Sequence, residues 1–358
     1  MTKISIIHYL YPIRQNQIVN HMKTKALLFA LFFALLFIGC KSTEPKKANQ
    51  LNSVSTSNNI TINEVQLLNN IKILASDSLE GRGFSKPGNY KAQQLIANEF
   101  KRLQLATVLE NGYIQEFTTT YKGVRRQRMF PVKGKDKNDT NVPDTTVVGG
   151  NVIGMIKGKS DNVIVITGHH DHLGIRNGKI YNGADDDASG TAAVITIADY
   201  FKDKTPNHTL IFATVDAEEA GMHGSSYLVK NFPLGKENIV LNVNMDMIAH
   251  NDKNELYACG LFHYPQLKEP LTKVKSSIDL LSGHDNPNDK TMQNWTNSSD
   301  HRSFHKEKIP FIYFGVEDHK DYHKDTDTFE NINQEFYVEA VKLIIQSIEN
   351  YDTFLKTN

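Results

Sequence analysis

The stretch from Gly168 to Gly190, GHHDHLGIRNGKIYNGADDDASG, constrains the fold more than any other part of the chain. It packs His169, Asp171, Asp185, Asp186 and Asp187 between an apolar run, Val163 to Thr167, and a helical pattern that begins near Ser189. Acids at the end of a buried strand cannot simply be left there, because a carboxylate taken out of water needs a cation or several donors. The fold must therefore gather these side chains around metal or answer them with hydrogen bonds.

The surrounding pattern says what kind of sheet carries them. Val163 to Thr167, Thr209 to Val215, Ile239 to Met245 and Ile309 to Gly315 read as strands. Tyr113 to Thr119 and Val147 to Ile156 read as two more, separated by the polar loop Gly134 to Asp144. Apolar spacing predicts helices over Val65 to Leu74, about Asn89 to Gln104, Gly190 to Phe201, about Pro265 to Ile278, and Phe336 to Tyr351. Apolar strands alternating with helices predict an α/β fold, a mostly parallel, doubly wound mixed sheet flanked by helices on both faces. In such sheets ligands bind outside the carboxyl ends of the strands.

Those strand ends carry the polar residues. His169 and Asp171 follow the first strand of this series, Glu218 and Glu219 the second, and Asp246 the third. Three strand ends of one sheet delivering acids or imidazole to one edge would repel one another unless divalent cations neutralise them. Imidazole and carboxylate donors without a thiolate suit zinc in a catalytic setting, with manganese or cobalt also compatible.

The segments ITGHHDHLG, NGADDDASG, TVDAEEAG, VNMDMI and DYHKDTDT, in this order, resemble the signature blocks of the co-catalytic zinc exopeptidases, family 28 of the metallopeptidases. That family includes secreted bacterial aminopeptidases, glutamate carboxypeptidase and related glutaminyl cyclases, all on a phosphorylase/hydrolase-like fold. The resemblance implies two zinc ions, with His169 and Asp246 on one, Glu219 and His323 on the other, and Asp186 bridging. Only the family's register selects Asp186 over Asp185 or Asp187, and the same register implies a cis peptide from Asp186 to Asp187. Asp171 would fix the tautomer of His169, and spacing suggests the same service from Asp327 to His323. Glu218 would act as general base on a metal-bridging water, whose pKa metal binding lowers to about 7, and then protonate the leaving amine.

Other residues receive plainer readings. His170 and His172 are expected as pocket wall or at solvent, since a strand end aims only alternate side chains into a site. Ser299, Asp300 and His301 imitate part of a hydrolytic triad, but a metal-water enzyme needs no serine nucleophile, so they are expected to support the site. Trp295 would line a specificity pocket or anchor its loop. His263, His305 and His319 show no partner in sequence, and Cys259 reads as a small buried hydrophobe.

The N-terminus points to export. Lys23 and Lys25 precede thirteen apolar residues, Ala26 to Ile38, then Gly39 and Cys40. That run is short for a bilayer span and reads as an export signal, and the cysteine after it resembles a bacterial lipoprotein site, although Phe37 stands where Leu is usual. The expected layout is a doubtful extension over 1–21, a lipoprotein-type signal over 22–40, a flexible tether over 41–60 and one catalytic domain over 61–355. The 40 basic and 40 acidic residues balance, which gives no electrostatic reason to expect nucleic acid. The expectation is an exported, lipid-anchored peptidase of the cell envelope that removes N-terminal residues from peptides. A glutaminyl cyclase is the alternative within catalysis, and a metal-free binding protein the alternative outside it.

Overall fold

The computed structural model describes residues 49–55, 60–130 and 132–357, and residues from Asn49 onward form one compact unit. The proposed signal, Cys40 and most of the tether lie outside the described residues.

The described residues form twelve strands and eight α-helices. In chain order the first are β1 (Ser53–Val54), α1 (Glu64–Leu74), α2 (Pro87–Arg102), β2 (Ile114–Tyr121), α3 (Gly123–Met129), β3 (Thr145–Ile156), β4 (Val163–His169), β5 (Gly174–Arg176) and β6 (Lys179–Tyr181). Then come α4 (Gly190–Phe201), β7 (Thr209–Val215), α5 (His223–Lys230), β8 (Ile239–Met245), β9 (Glu255–Cys259), α6 (Lys268–Thr272), β10 (Lys275–Ser276), β11 (Asp279–Ser282), α7 (His301–Lys306), β12 (Phe311–Gly315) and α8 (Gln334–Thr357).

Eight strands form the central sheet in the order β11-β9-β12-β8-β4-β7-β3-β2. Neighbours from β12 through β8 and β4 to β7 run parallel, as do β11 and β9, while β9–β12, β7–β3 and β3–β2 are antiparallel. The mixed, mostly parallel α/β sheet expected from the sequence is therefore the one observed. Its middle strands are buried on both faces. Ile164 and Ile166 of β4 join a cluster with α1, α2, α4 and α8, while Val163 and Val165 join another with α5 and α7. Each such side chain stabilises the fold by about 1.5–3 kcal/mol, which explains why β4 reads as an uninterrupted apolar run.

Two expectations need correction. The stripe over Pro265 to Ile278 is helical only as far as Thr272, after which the chain is extended in β10 and β11. Leu267, Leu271, Val274 and Ile278 are all buried, so their helix-like spacing reflects real burial reached by two kinds of backbone. Residues 49–55 are docked rather than loose: Leu51 and Asn52 are buried, β1 pairs with β10, and Gln50 bridges to Leu281. The Asn52 side chain locks this segment by donating to the Ile278 carbonyl and accepting the Leu280 N–H, both at 2.9 Å.

Candidate metal centre

Because β4, β7, β8 and β12 are parallel, their carboxyl ends open on one edge. β4 ends in His169, β7 leads to Glu218 and Glu219, β8 is followed by Asp246, and the segment after β12 brings His319 to His323. Asp185 to Asp187 arrive on the irregular turn that enters α4, with the Asp186–Asp187 peptide cis.

The structure brings five of the residues singled out in sequence into mutual reach. Asp186 Oδ1 lies 3.2 Å from His169 Nε2, and Asp186 Oδ2 lies 3.0 Å from His323 Nε2. Asp246 Oδ1 is 3.5 Å from His169 Nε2, and Glu219 Oε1 is 3.3 Å from His323 Nε2. His169 Nε2 and Glu219 Oε1 are buried and make no hydrogen bond. Neighbouring donor atoms around a zinc ion, each about 2.0–2.2 Å from it, sit about this far apart, so the donor set fits zinc in type and spacing.

The electrostatics agree with a cation-shaped arrangement. Burial alone would lower the His169 pKa, but Asp246, Asp171 and Asp186 outweigh it and hold the ring well above its usual value. His323 is pushed up to about 10 in the same way, its burial overcome by Asp186 and Glu219. Burial and Asp186 push Glu219 up, yet the His172 and His323 rings bring it to about 2. The carboxylates thus hold protons on imidazole where divalent ions would supply the positive charge. Glu218 is raised well above the usual carboxyl range by burial and by Asp300, Asp246 and Glu219, with His169 opposing.

The three aspartates separate by what they face. Asp186 alone of the three is directed at both His169 and His323. Asp187 accepts the main-chain N–H of His169 (2.9 Å) and Gly190 (2.8 Å). Asp185 accepts the Ala249 N–H and lies 3.0 Å from His319 Nε2. Asp171 supports two elements at once: its carbonyl lies 3.0 Å from His169 Nδ1, its carboxylate 3.6 Å from the same atom, and its two carboxylate oxygens accept the N–H groups of Glu218 and Glu219.

Two expectations about supporting residues change. Asp327 does not orient His323; its oxygens accept the N–H groups of Asp185 (2.9 Å) and Asp186 (3.1 Å), because the turn entering α4 presents its amides to it. His172 is neither pocket wall nor at solvent. It is buried with Nδ1 3.0 Å from Glu219 Oε1, because the chain leaves the strand after His169 and alternation no longer applies. His170 is also fully buried, on the side of Asp216, 3.7 Å away. No apolar pattern marks either ring.

The SDH run makes no triad. The Ser299 hydroxyl accepts from Asn244 (2.9 Å), His301 Nε2 meets the Trp295 carbonyl (2.9 Å), and Asp300 is buried with neither oxygen hydrogen-bonded. Burial pushes Asp300 up to about 7. Trp295 both lines the cleft and anchors its loop, stacked on His284 at 3.4 Å. Cys259 is buried, as expected. His263 meets Thr296 and His305 meets Tyr264. His250, His319 and Asp321 form a further group of potential donors, but the two rings stack at 4.0 Å with planes within 13°, and nearly parallel rings cannot both point a lone pair at one ion.

A cleft of about 320 Å³ opens over the cluster, and Trp295, Tyr313, Val316 and Tyr322 are among its lining. Its charged lining residues are Asp186, Glu218, Glu219, Asp246 and Asp318, with His323, and no Lys or Arg is among them.

Comparison with known proteins places this arrangement. A probable zinc metalloprotease of Pyrenophora tritici-repentis is 34% identical over 204 residues, 54% of this chain and 38% of that protein. The chain spans only about a quarter to two-fifths of the length of such curated relatives. The fold matches a zinc aminopeptidase from Bacillus subtilis with a TM-score of 0.59 and 17% identity, covering 82% of this chain and 95% of the other. It matches a glutaminyl cyclase from Fimbriiglobus ruber with a TM-score of 0.60 and 16% identity, covering 81% and 96%. The model of peptidase family M28 matches residues 151–348, more than half of the chain and a span from within β3 to within α8 that carries the cluster, and the chain belongs to that family.

Proposed function

We propose that this protein is a zinc-dependent exopeptidase that releases N-terminal residues from peptides. The observation that carries the reading is the set His169, Asp186, Glu219, Asp246 and His323, buried at His169, Asp186 and Asp246, with His169 Nε2 and Glu219 Oε1 unpaired in an acidic cleft. His169 and Asp246 would hold one ion, Glu219 and His323 a second, with Asp186 shared. Bound zinc would polarise the scissile carbonyl and acidify a water in the cleft.

The chain's own groups do the rest. Glu218 stands beside the cluster with a raised pKa, placed to take the proton of the attacking water and to give it to the departing amine. Asp171 holds the main chain of Glu218 and Glu219. The absence of Lys and Arg from the described cleft lining favours an aminopeptidase over a carboxypeptidase, since a free α-amine suits acidic walls and an α-carboxylate would meet no basic side chain. Trp295, Tyr313 and Tyr322 offer an aromatic wall to the substrate side chain.

A glutaminyl cyclase would also take a free N-terminus, and the likeness to the Fimbriiglobus ruber enzyme keeps that reading. Loss of metal, as in a binding protein, fits poorly with five competent donors and with Glu218. The proposal extends to export and lipid anchoring at Cys40, supported by the basic and apolar residues before it. Amino-acid p-nitroanilides with free and blocked amines, together with N-terminal Gln peptides, test the activity. Hydrolysis of free substrates only is expected; ammonia release from Gln would select the cyclase, and cleavage of blocked substrates would reject the aminopeptidase.

A further inference from the structure

Arg82 is fully buried, yet nothing in SLEGRG marks it as chemistry. Its guanidinium donates four hydrogen bonds, all to main-chain carbonyls. Nε reaches His170 (2.8 Å), Nη1 reaches Leu74 and Asn182 (2.6 Å each), and Nη2 reaches Gly183 (2.8 Å). The Arg82 carbonyl accepts the His172 N–H at 3.2 Å in return. One planar group therefore ties the segment leaving β4, which carries His169 and Asp171, to the segment entering α4, which carries Asp185 to Asp187. The end of α1 is its third anchor.

The neighbouring glycines let the main chains meet this closely. A Cβ on Gly81, whose φ is +65°, would collide with the Tyr181 carbonyl oxygen. Neutral donors could cap these carbonyls, and burying a guanidinium is costly without nearby negative charge. Burial lowers the Arg82 pKa from its usual value, and the fields of Asp187, Asp327, Asp186 and Asp171 oppose that shift. Three of these acids hold the main chain of the site, and Asp186 is central to it. Arg provides both the fixed fork of donors and a charge that stays on.

We propose that Arg82 is a positioning residue that pre-forms the metal-carrying segments, holding 169–172 and 182–187 in ligating conformation before an ion arrives. This rests on reading the cluster as a metal centre. The role differs from ordinary loop packing in what it demands of the metal-free protein. If the segments are pre-formed, binding zinc involves little ordering, and loosening them weakens zinc at unchanged substrate contacts.

The test uses the full chain stripped of metal. Hydrogen exchange in wild type should be within about tenfold of the zinc-loaded rate across 169–172 and 182–187. Arg82→Lys, which keeps the charge but not the fork, should weaken zinc by about 10–100-fold in a chelator competition. At saturating zinc its KM for a free p-nitroanilide should match wild type. A wild type that binds no zinc overturns the metal-centre reading itself. Zinc binding by wild type with equal affinity in Arg82→Lys, or protection of both segments only after zinc is added, overturns the role of Arg82 alone. The wild-type exchange comparison can still overturn the proposal where the variant does not fold.

Discussion

The carboxylate of Asp171 accepts the main-chain N–H of Glu218 at 3.0 Å, so the acid two residues after His169 also positions the proposed general base in the turn after β7. Its other oxygen does the same for Glu219 at 3.3 Å. Two strand ends are thereby set in register by one side chain. Asp171→Asn replaces one acceptor with an NH₂ group facing an N–H, and kcat/KM should fall by about 10–100-fold. Steady-state kinetics on a free p-nitroanilide, with zinc content measured alongside, checks this.

Glu218→Gln keeps the shape of the side chain and removes its basicity. The variant should retain its metal, and kcat should fall by about 10²–10⁴-fold, the usual contribution of a general base. Unchanged turnover would remove Glu218 from the reaction.

Purified protein should contain about two zinc ions per chain when both groups of donors are filled. Dialysis against a chelator should abolish hydrolysis and lower the melting temperature, since an ion that binds only the folded state stabilises it. Elemental analysis followed by a thermal melt with and without zinc gives both answers, and a single ion per chain would favour a mononuclear centre.

Away from the site, Asp352 in α8 accepts the N–H groups of Asn207 and His208 at 2.8 Å each and meets His208 Nδ1 at 2.9 Å. Burial raises its pKa, but these partners outweigh it and hold the carboxyl below its usual range. An acid whose folded pKa is depressed stabilises the fold fully above its unfolded pKa of about 3.9, and that contribution disappears as pH falls through the lower folded value. Asp352→Asn should therefore cost about 1–3 kcal/mol at neutral pH, and the gap to wild type should narrow in acid. Urea melts of both proteins at pH 7 and under acidic conditions measure it.

Cys40→Ser should leave the protein unprocessed or free of membranes if Cys40 carries lipid. Fractionation of cells making each form is sufficient, and normal membrane attachment of the variant would contradict the anchor.

The parts of this fold that were legible in sequence are those where side chains carry the information. β4, β7 and β8 stand out because burial on both faces leaves each of them mostly apolar, with only Asn242 and Asn244 interrupting β8. The meeting of His169, Asp186, Glu219, Asp246 and His323 follows from parallel strands ending on one edge. β9 and β11 were missed because ELYAC and DLLS are short and mixed, and the apolar spacing before β11 imitates a helix. Arg82 and Asp327 were opaque or misplaced for another reason. Their partners are main-chain carbonyls and amides, which every residue possesses and no motif records.

The docked segment at the start of the described chain has a bearing on solubility. β11 is an edge strand of the central sheet, and its outer side is met by Leu51 N–H on the Leu280 carbonyl and Ser282 N–H on the Asn49 carbonyl. An uncovered edge offers unpaired hydrogen-bonding groups to any passing strand, which is how β proteins self-associate. A protein shortened to begin at Thr61 would keep every residue of the proposed catalytic cluster and would expose an adhesive edge in place of a guarded one.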